Sequence, residues 1–124
     1  ELPLDATPPA ARRPGAFTLR APLVKTVAYE DMLANLASRD PRPVIDARSP
    51  DRFRGENETL DPMGGHIPGA INRFFRDNLQ PDGRFKSAAQ LRAEFSALLG
   101  NTPAERAISQ CGSGVTACHN LLGM

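Results

Sequence analysis

Cys111 is followed by Gly112, Ser113, Gly114, Val115 and Thr116, so a thiol stands at the head of a short loop with two glycines flanking a serine. The segment before it, Arg106 to Gln110, carries Ala107 and Ile108 and reads as a short strand; Ala117 to Leu122 reads as helical. A thiol at that handover lies beyond the carboxyl end of a strand, where ligands bind in open α/β sheets. Gly112 and Gly114 tolerate backbone conformations that other residues avoid, which lets successive amides turn inward around the sulfur. Those amides and the positive end of the next helix favour negative charge at Cys111, and a stabilised thiolate is a nucleophile. The same cradle suits a persulfide anion or the oxygens of a substrate. The blander reading makes Cys111 a small buried hydrophobe beside an ordinary turn, because short glycine motifs often occur without function.

Positioning such a loop requires strands and helices in alternation. Tyr29, Met32, Leu33 and Leu36 recur at helical spacing, which predicts a helix with one buried face from about Val27 to Ser38, ended by Asp40-Pro41. Pro43 to Ala47 is a short apolar run that turns polar at Arg48-Ser49-Pro50, the pattern of a buried parallel strand leaving into a loop. Ser87 and Gln90 have the spacing of a capping box, Leu91, Phe95, Leu98 and Leu99 form a buried stripe, and Gly100 stops the helix. The expectation is an α/β fold with a mostly parallel central sheet and helices on both faces. Pro3, Pro8, Pro9, Pro14 and Pro22 make residues 1–25 a stiff interdomain linker with at most a short strand at Phe17 to Arg20, leaving 26–124 as the domain.

The chain has 124 residues, 40% of them hydrophobic and 23% charged, which fits one soluble globular domain. A formal charge of +1 supplies no field for bulk nucleic-acid or anionic-membrane binding, and no apolar run reaches the roughly 20 residues of a membrane helix. Two cysteines make no disulfide framework, and no secretory signal opens the chain, so a cytoplasmic setting is expected. The start at Glu1 and the twelve prolines read as a piece of a longer polypeptide.

Four motifs in order carry a family resemblance: Val44-Ile45-Asp46-Ala47-Arg48, Arg52-Phe53-Arg54-Gly55, Gly65-His66-Ile67-Pro68-Gly69-Ala70, and Cys111 through Asn120. Over residues 17–124 the chain resembles the catalytic half of the tandem rhodanese-type sulfurtransferases. That likeness implies a rhodanese-like fold, no cofactor, and a Cys111 that cycles between thiol and persulfide. It also implies a small-molecule sulfur donor, a thiol, thioredoxin-like or cyanide acceptor, and an N-terminal rhodanese half of the same polypeptide as partner. In the family, chain continues past the helix that follows the loop, whereas this sequence stops at Met124.

The uncharged Gly112 and Ser113 resemble the loop of 3-mercaptopyruvate sulfurtransferases more than the basic loop of thiosulfate-specific members. By this likeness Cys111 and Ser113 are catalytic, Ser113 serving a proton relay to the pyruvate enolate. Arg52 matches the position that holds the donor's carboxylate, a task for a bidentate guanidinium. Arg48, Gly112, Gly114, Val115 and Thr116 complete the expected substrate-binding set. The mercaptopyruvate enzymes carry a further arginine between the second and third motifs, where Glu56 to Gly64 contains no basic residue; donor choice therefore stays open.

Other candidates carry less. His66, between Gly65 and Ile67-Pro68, reads as a loop residue making a structural hydrogen bond rather than a general base. Cys118 reads as a buried structural thiol before a redox partner for Cys111. Asp46 and Arg48 read as a pair that holds the loops, with a direct substrate role for Arg48 as the alternative. Two cysteines and two histidines show no ligand spacing, so no metal site is expected. The fold resembles that of the cell-cycle dual-specificity phosphatases, which by that likeness need an arginine six residues after the cysteine; Ala117 stands there, which excludes phosphatase chemistry. A non-catalytic rhodanese module that binds a partner protein remains the rival of the enzyme.

Overall fold

A computed structural model describes Thr7, residues 14–59 and residues 61–124. Three strands, β1 (Val44–Asp46), β2 (Ile71–Asn72) and β3 (Ile108–Gln110), form one parallel sheet in the order β2-β1-β3. The register pairs Ile45 with Ile71 and with Ser109, and Asp46 with Asn72 and with Gln110. β1 is central and every residue in it is buried, which is why its apolar run shows no alternation. Val44, Ile45, Ala47, Ala107 and Ile108 from the sheet region meet Leu91, Phe95 and Ala117 from the helices to make the core.

Four helices surround these strands: α1 (Tyr29–Ala37), α2 (Pro50–Arg54), α3 (Ala88–Leu99) and α4 (Ala117–Gly123). α3 starts as its sequence dictates, with the Ser87 hydroxyl accepting from the Gln90 amide at 3.2 Å. The reciprocal half of the expected box is missing, because the Gln90 side chain donates instead to Glu94 at 3.1 Å. Leu91 and Phe95 are buried, while Leu98 and Leu99 are only partly covered. α2 is bounded by Pro50 in its first turn and by Gly55 in the left-handed region at φ 79°. Gly55 also lies so close to the Gly64-Gly65 backbone that a Cβ on it would come 2.9 Å from the Gly65 nitrogen, so this crossing demands glycine twice over.

A buried polar network joins the 3-10 turn Phe75–Asn78 to α4 and α3. Asn78 Nδ2 donates to Asn120 Oδ1 at 2.8 Å, and Asn120 Nδ2 donates to the Arg73 carbonyl at 3.0 Å. Arg73 donates to Asn78 Oδ1 and pairs with Glu94, which Lys86 also holds at 2.9 Å. Both asparagines are fully buried, and buried amides persist only when bonded in this way.

One expectation is corrected. α1 forms where its spacing predicts, but none of its residues is buried, and Tyr29, Leu33 and Leu36 are exposed. Among the described residues its fastening is mainly polar: Asn35 exchanges two hydrogen bonds with the Arg42 backbone, at 2.8 and 3.0 Å. Phe17 to Arg20 forms no strand; it has no partner strand in the sheet. The remainder of the expected linker, residues 1–6 and 8–13, lies outside the described residues. Finally, no helix among the described residues is long and apolar enough to cross a membrane.

Candidate active site

Because β1, β2 and β3 are parallel, their carboxyl ends release chain on one edge of the sheet. Ala47, Arg48 and Ser49 follow β1, Phe74 to Arg76 follow β2, and Cys111 to Ser113 follow β3; all of them line a cleft of about 480 Å³. Arg52 from α2, Asp61 and Thr116 complete its wall. The β1 exit is clamped by Asn72, whose side-chain amide donates to the carbonyls of Asp46 at 3.0 Å and Arg48 at 2.9 Å.

Cys111 is half-buried at the floor of this cleft. The Gly114 amide donates to its Sγ at 3.1 Å. Burial pushes the thiol up, but the Thr116 hydroxyl and the amides of Ala117, Ser113 and Gly114 together outweigh it, so the thiol ionises below its ordinary value. The loop closes this way because Gly114 takes φ 86°, a conformation that glycine alone adopts without strain. Gly112 needs no such freedom, and only one of the two glycines therefore serves the turn conformationally. The Gly114 carbonyl then accepts from the Cys118 thiol at 3.3 Å, tying the loop to the first turn of α4.

The two arginines singled out in the sequence both reach the cleft. Arg52 Nη2 lies 2.8 Å from each Glu58 carboxylate oxygen and 3.3 Å from Asp61. The same nitrogen overhangs the loop, 3.9 Å from where a Cβ on Gly112 would sit. Arg48 is held more completely: its guanidinium grips both oxygens of the fully buried Asp46, at 2.7 and 3.1 Å, and donates to the Gly65 carbonyl at 2.6 Å. Glu58, nearly buried, also faces Arg48 at 3.6 Å and so bridges the two guanidinium groups. Arg48 is thus a tie between the β1 exit and the Gly65 loop, with a flank on the cleft.

Ser113 lines the cleft beside Cys111, and Thr116 faces the sulfur. Val115 does not join them: it is 71% exposed and is not part of the cleft wall. His66 stacks on Phe53 with ring centroids 3.7 Å apart, and its Nδ1–H donates to the Phe53 carbonyl at 2.7 Å, as expected of a structural histidine. Cys118 is exposed, against the expectation of a buried thiol; Ala117 and Asn120 are the inward positions of α4, and position 118 faces outward. His119 packs between the rings of Phe75 and Phe85.

Residues 28–122 match the model of the rhodanese-like domain. The chain belongs to that family. Among relatives of this rhodanese-like domain, the probable 3-mercaptopyruvate sulfurtransferase of Pseudomonas aeruginosa is 54% identical over 65% of the chain and 28% of its own length. The human 3-mercaptopyruvate sulfurtransferase is 41% identical over 98% of the chain and 41% of its own length. The bovine thiosulfate sulfurtransferase is 38% identical over 90% of the chain and 38% of its own length. The chain therefore spans about two fifths or less of the length of these curated relatives.

Phe74, Phe75, Arg76, Asp61 and Glu58 escaped the sequence reading. The available signal was topological: any residue just past a parallel strand belongs to the cleft, but β2 is two residues long and leaves no apolar run to find.

Proposed function

We propose that this domain transfers sulfur through Cys111, with 3-mercaptopyruvate as the favoured donor. The observation that carries the reading is a half-buried sulfur that accepts the Gly114 amide at 3.1 Å and lines, with Thr116 and Arg52, a cleft of about 480 Å³. The thiolate attacks the donor sulfur; an S–S bond forms as the C–S bond breaks, and its electron pair leaves on carbon as pyruvate enolate. The donor's thiol proton passes to that enolate with Ser113 as the relay hydroxyl, leaving a Cys111 persulfide anion against the loop amides. An acceptor thiolate, a thioredoxin-like protein or cyanide then attacks the outer sulfur, and the S–S pair returns to Cys111. Arg52, fixed by Glu58 and Asp61, orients the donor's carboxylate, Arg48 and Gly112 line the cleft beside it, and the Gly114 amide, which is not part of the cleft wall, serves the sulfur itself.

The uncharged Gly112-Ser113 pair and the names of the Pseudomonas aeruginosa and human relatives support the mercaptopyruvate reading. Thiosulfate stands as the second donor, favoured by the bovine relative; there the same attack breaks an S–S bond and releases sulfite. A reducing, cytoplasmic setting suits a thiol that must stay free to attack. The exposed apolar residues of α1, together with Phe17, Leu19 and Leu23, support an N-terminal rhodanese half as the covering partner.

Incubation with each donor followed by intact mass measurement tests the mechanism. The expected result is a gain of one sulfur atom, removed by cyanide and abolished by Cys111→Ser. Added mass that survives Cys111→Ser refutes it, and stable capture of a protein with no sulfur gained favours the binding-module reading.

A further inference from the structure

The cleft holds three arginines, and two of them are already neutralised. Arg48 and Arg52 share the carboxylates of Asp46, Glu58 and Asp61, so two cations meet three anions before any donor arrives. Ionised Cys111 adds a further negative charge on the cleft floor. An anionic donor entering such a site is repelled unless another cation faces it, because charges a few ångströms apart in a partly dehydrated cleft interact strongly.

Arg76 is that cation. It lies on the 3-10 turn just past β2 and lines the same cleft as Arg52 of α2 and the loop of Cys111. Among the described residues no carboxylate lies within ion-pair distance of it, whereas Arg54, Arg73, Arg84 and Arg106 each face one. Its guanidinium stands 5.8 Å from the centroid of the Phe75 ring, a cation–π contact at the cleft wall that leaves its N–H edge without a hydrogen-bond acceptor among the described residues. Glu58 and Asp61 face Arg52, and the sequence from Glu56 to Gly64 that carries them contains no base.

We propose that Arg76 joins Arg52 in binding the anionic end of the sulfur donor, supplying from the β2 exit the net positive charge that Arg52 and Arg48 have largely spent on their carboxylates. This deepens the sulfurtransferase reading and rests on it. The donor is then clamped between Arg76 and the Arg52 edge with its sulfur toward Cys111. Because the role is charge recognition of the donor, it touches neither the second half-reaction nor the fold.

The test compares Arg76→Gln, Arg76→Lys and the surface control Arg84→Gln in the full-length polypeptide. Initial rates are read against 3-mercaptopyruvate and, separately, thiosulfate, with cyanide as acceptor. The expected result is a donor KM raised about tenfold or more by Arg76→Gln, the worth of one charge-assisted hydrogen bond. Lysine should recover part of it, the cyanide KM and the melting temperature should stay at the parent values, and Arg84→Gln should behave as the parent. An active parent whose donor KM is unmoved by Arg76→Gln overturns the role of Arg76 alone. A parent that takes sulfur from neither donor overturns the sulfurtransferase reading and this proposal with it.

Discussion

Replacing Thr116 by valine isolates the side-chain donor that lowers the Cys111 thiol. Valine keeps the β-branch and nearly the volume of threonine and removes only the hydroxyl, so the amides of Ser113, Gly114 and Ala117 remain in place around the sulfur. Burial works against the thiolate, and the Thr116 hydroxyl is the largest of the opposing contributions. A hydrogen bond to a charged acceptor contributes about 1.5–3 kcal/mol, with diffuse sulfur at the weak end. About 1.4 kcal/mol is a factor of ten in an equilibrium constant, so at a pH below the inflection the thiolate population should fall about tenfold. The assay is the rate of alkylation by iodoacetamide against pH, in a Cys118→Ser background because Cys118 is also exposed. The expected profile has its inflection moved to higher pH, with a plateau at alkaline pH that meets or slightly exceeds the parent's, since a more basic thiolate is intrinsically more nucleophilic. An unmoved inflection refutes the hydroxyl's contact with sulfur. A rate lowered equally at every pH shows that the substitution changed access and not ionisation.

Further outcomes follow from the charges and amides around the cleft. Glu58→Gln leaves Arg48 and Arg52 without the nearly buried carboxylate they share and should lower stability by about 2–3 kcal/mol, read as a lower urea midpoint at unchanged slope; an unchanged midpoint shows that Asp46 and Asp61 suffice. Asn120→Ala strands Asn78 Nδ2 and the Arg73 carbonyl in the interior and should cost about 3 kcal/mol, whereas Asn57→Ala, at an exposed site, should cost far less by the same measurement. Glu94 is held at about 2, against an ordinary 4.5, first by Arg73 and then by Lys86, with burial opposing. A depressed carboxyl stabilises the fold fully above its unfolded value and loses that contribution as pH falls through its folded one. Stability should therefore drop between about pH 4.5 and 2, and Glu94→Gln should flatten that part of the profile.

How much of this could be read beforehand depended on whether a residue's role was set locally. Val44, Ile45 and Ala47 announced a strand buried on both faces because a central parallel strand is mostly apolar, and Ser87 and Gly100 marked the ends of α3 because capping is a short-range matter. Cys111 with Gly114 was readable for the same reason: the turn that aims an amide at the sulfur is three residues long. What escaped was set by distant chain. The α1 stripe at Tyr29, Leu33 and Leu36 has the right period, yet period alone does not say what, if anything, lies over it. Arg76 entered the cleft only through the pairing of Ile71 and Asn72 with β1, a two-residue ladder with no pattern of its own. The commitment of Arg52 to Glu58 and Asp61 likewise needed the loop's fold to be seen.

On the proposed sulfur-transfer reading, the division of labour among the three strand ends gives a weakly charged chain a site for an anion. The β3 exit carries Cys111 and its own neutral donors, so its thiolate is stabilised by dipoles rather than by a cation. The β1 exit carries Arg48, whose charge is consumed by Asp46 and whose value is mechanical: it joins the strand end to Gly65 and, through Glu58, steadies Arg52. The β2 exit carries Arg76, the cleft's guanidinium with no carboxylate opposite it among the described residues. Cationic stabilisation of the sulfur would have lowered its pKa further at the expense of nucleophilicity. On the sulfur-transfer reading, keeping the cation on a different strand end leaves the thiolate reactive and reserves the positive charge for the molecule it would attack.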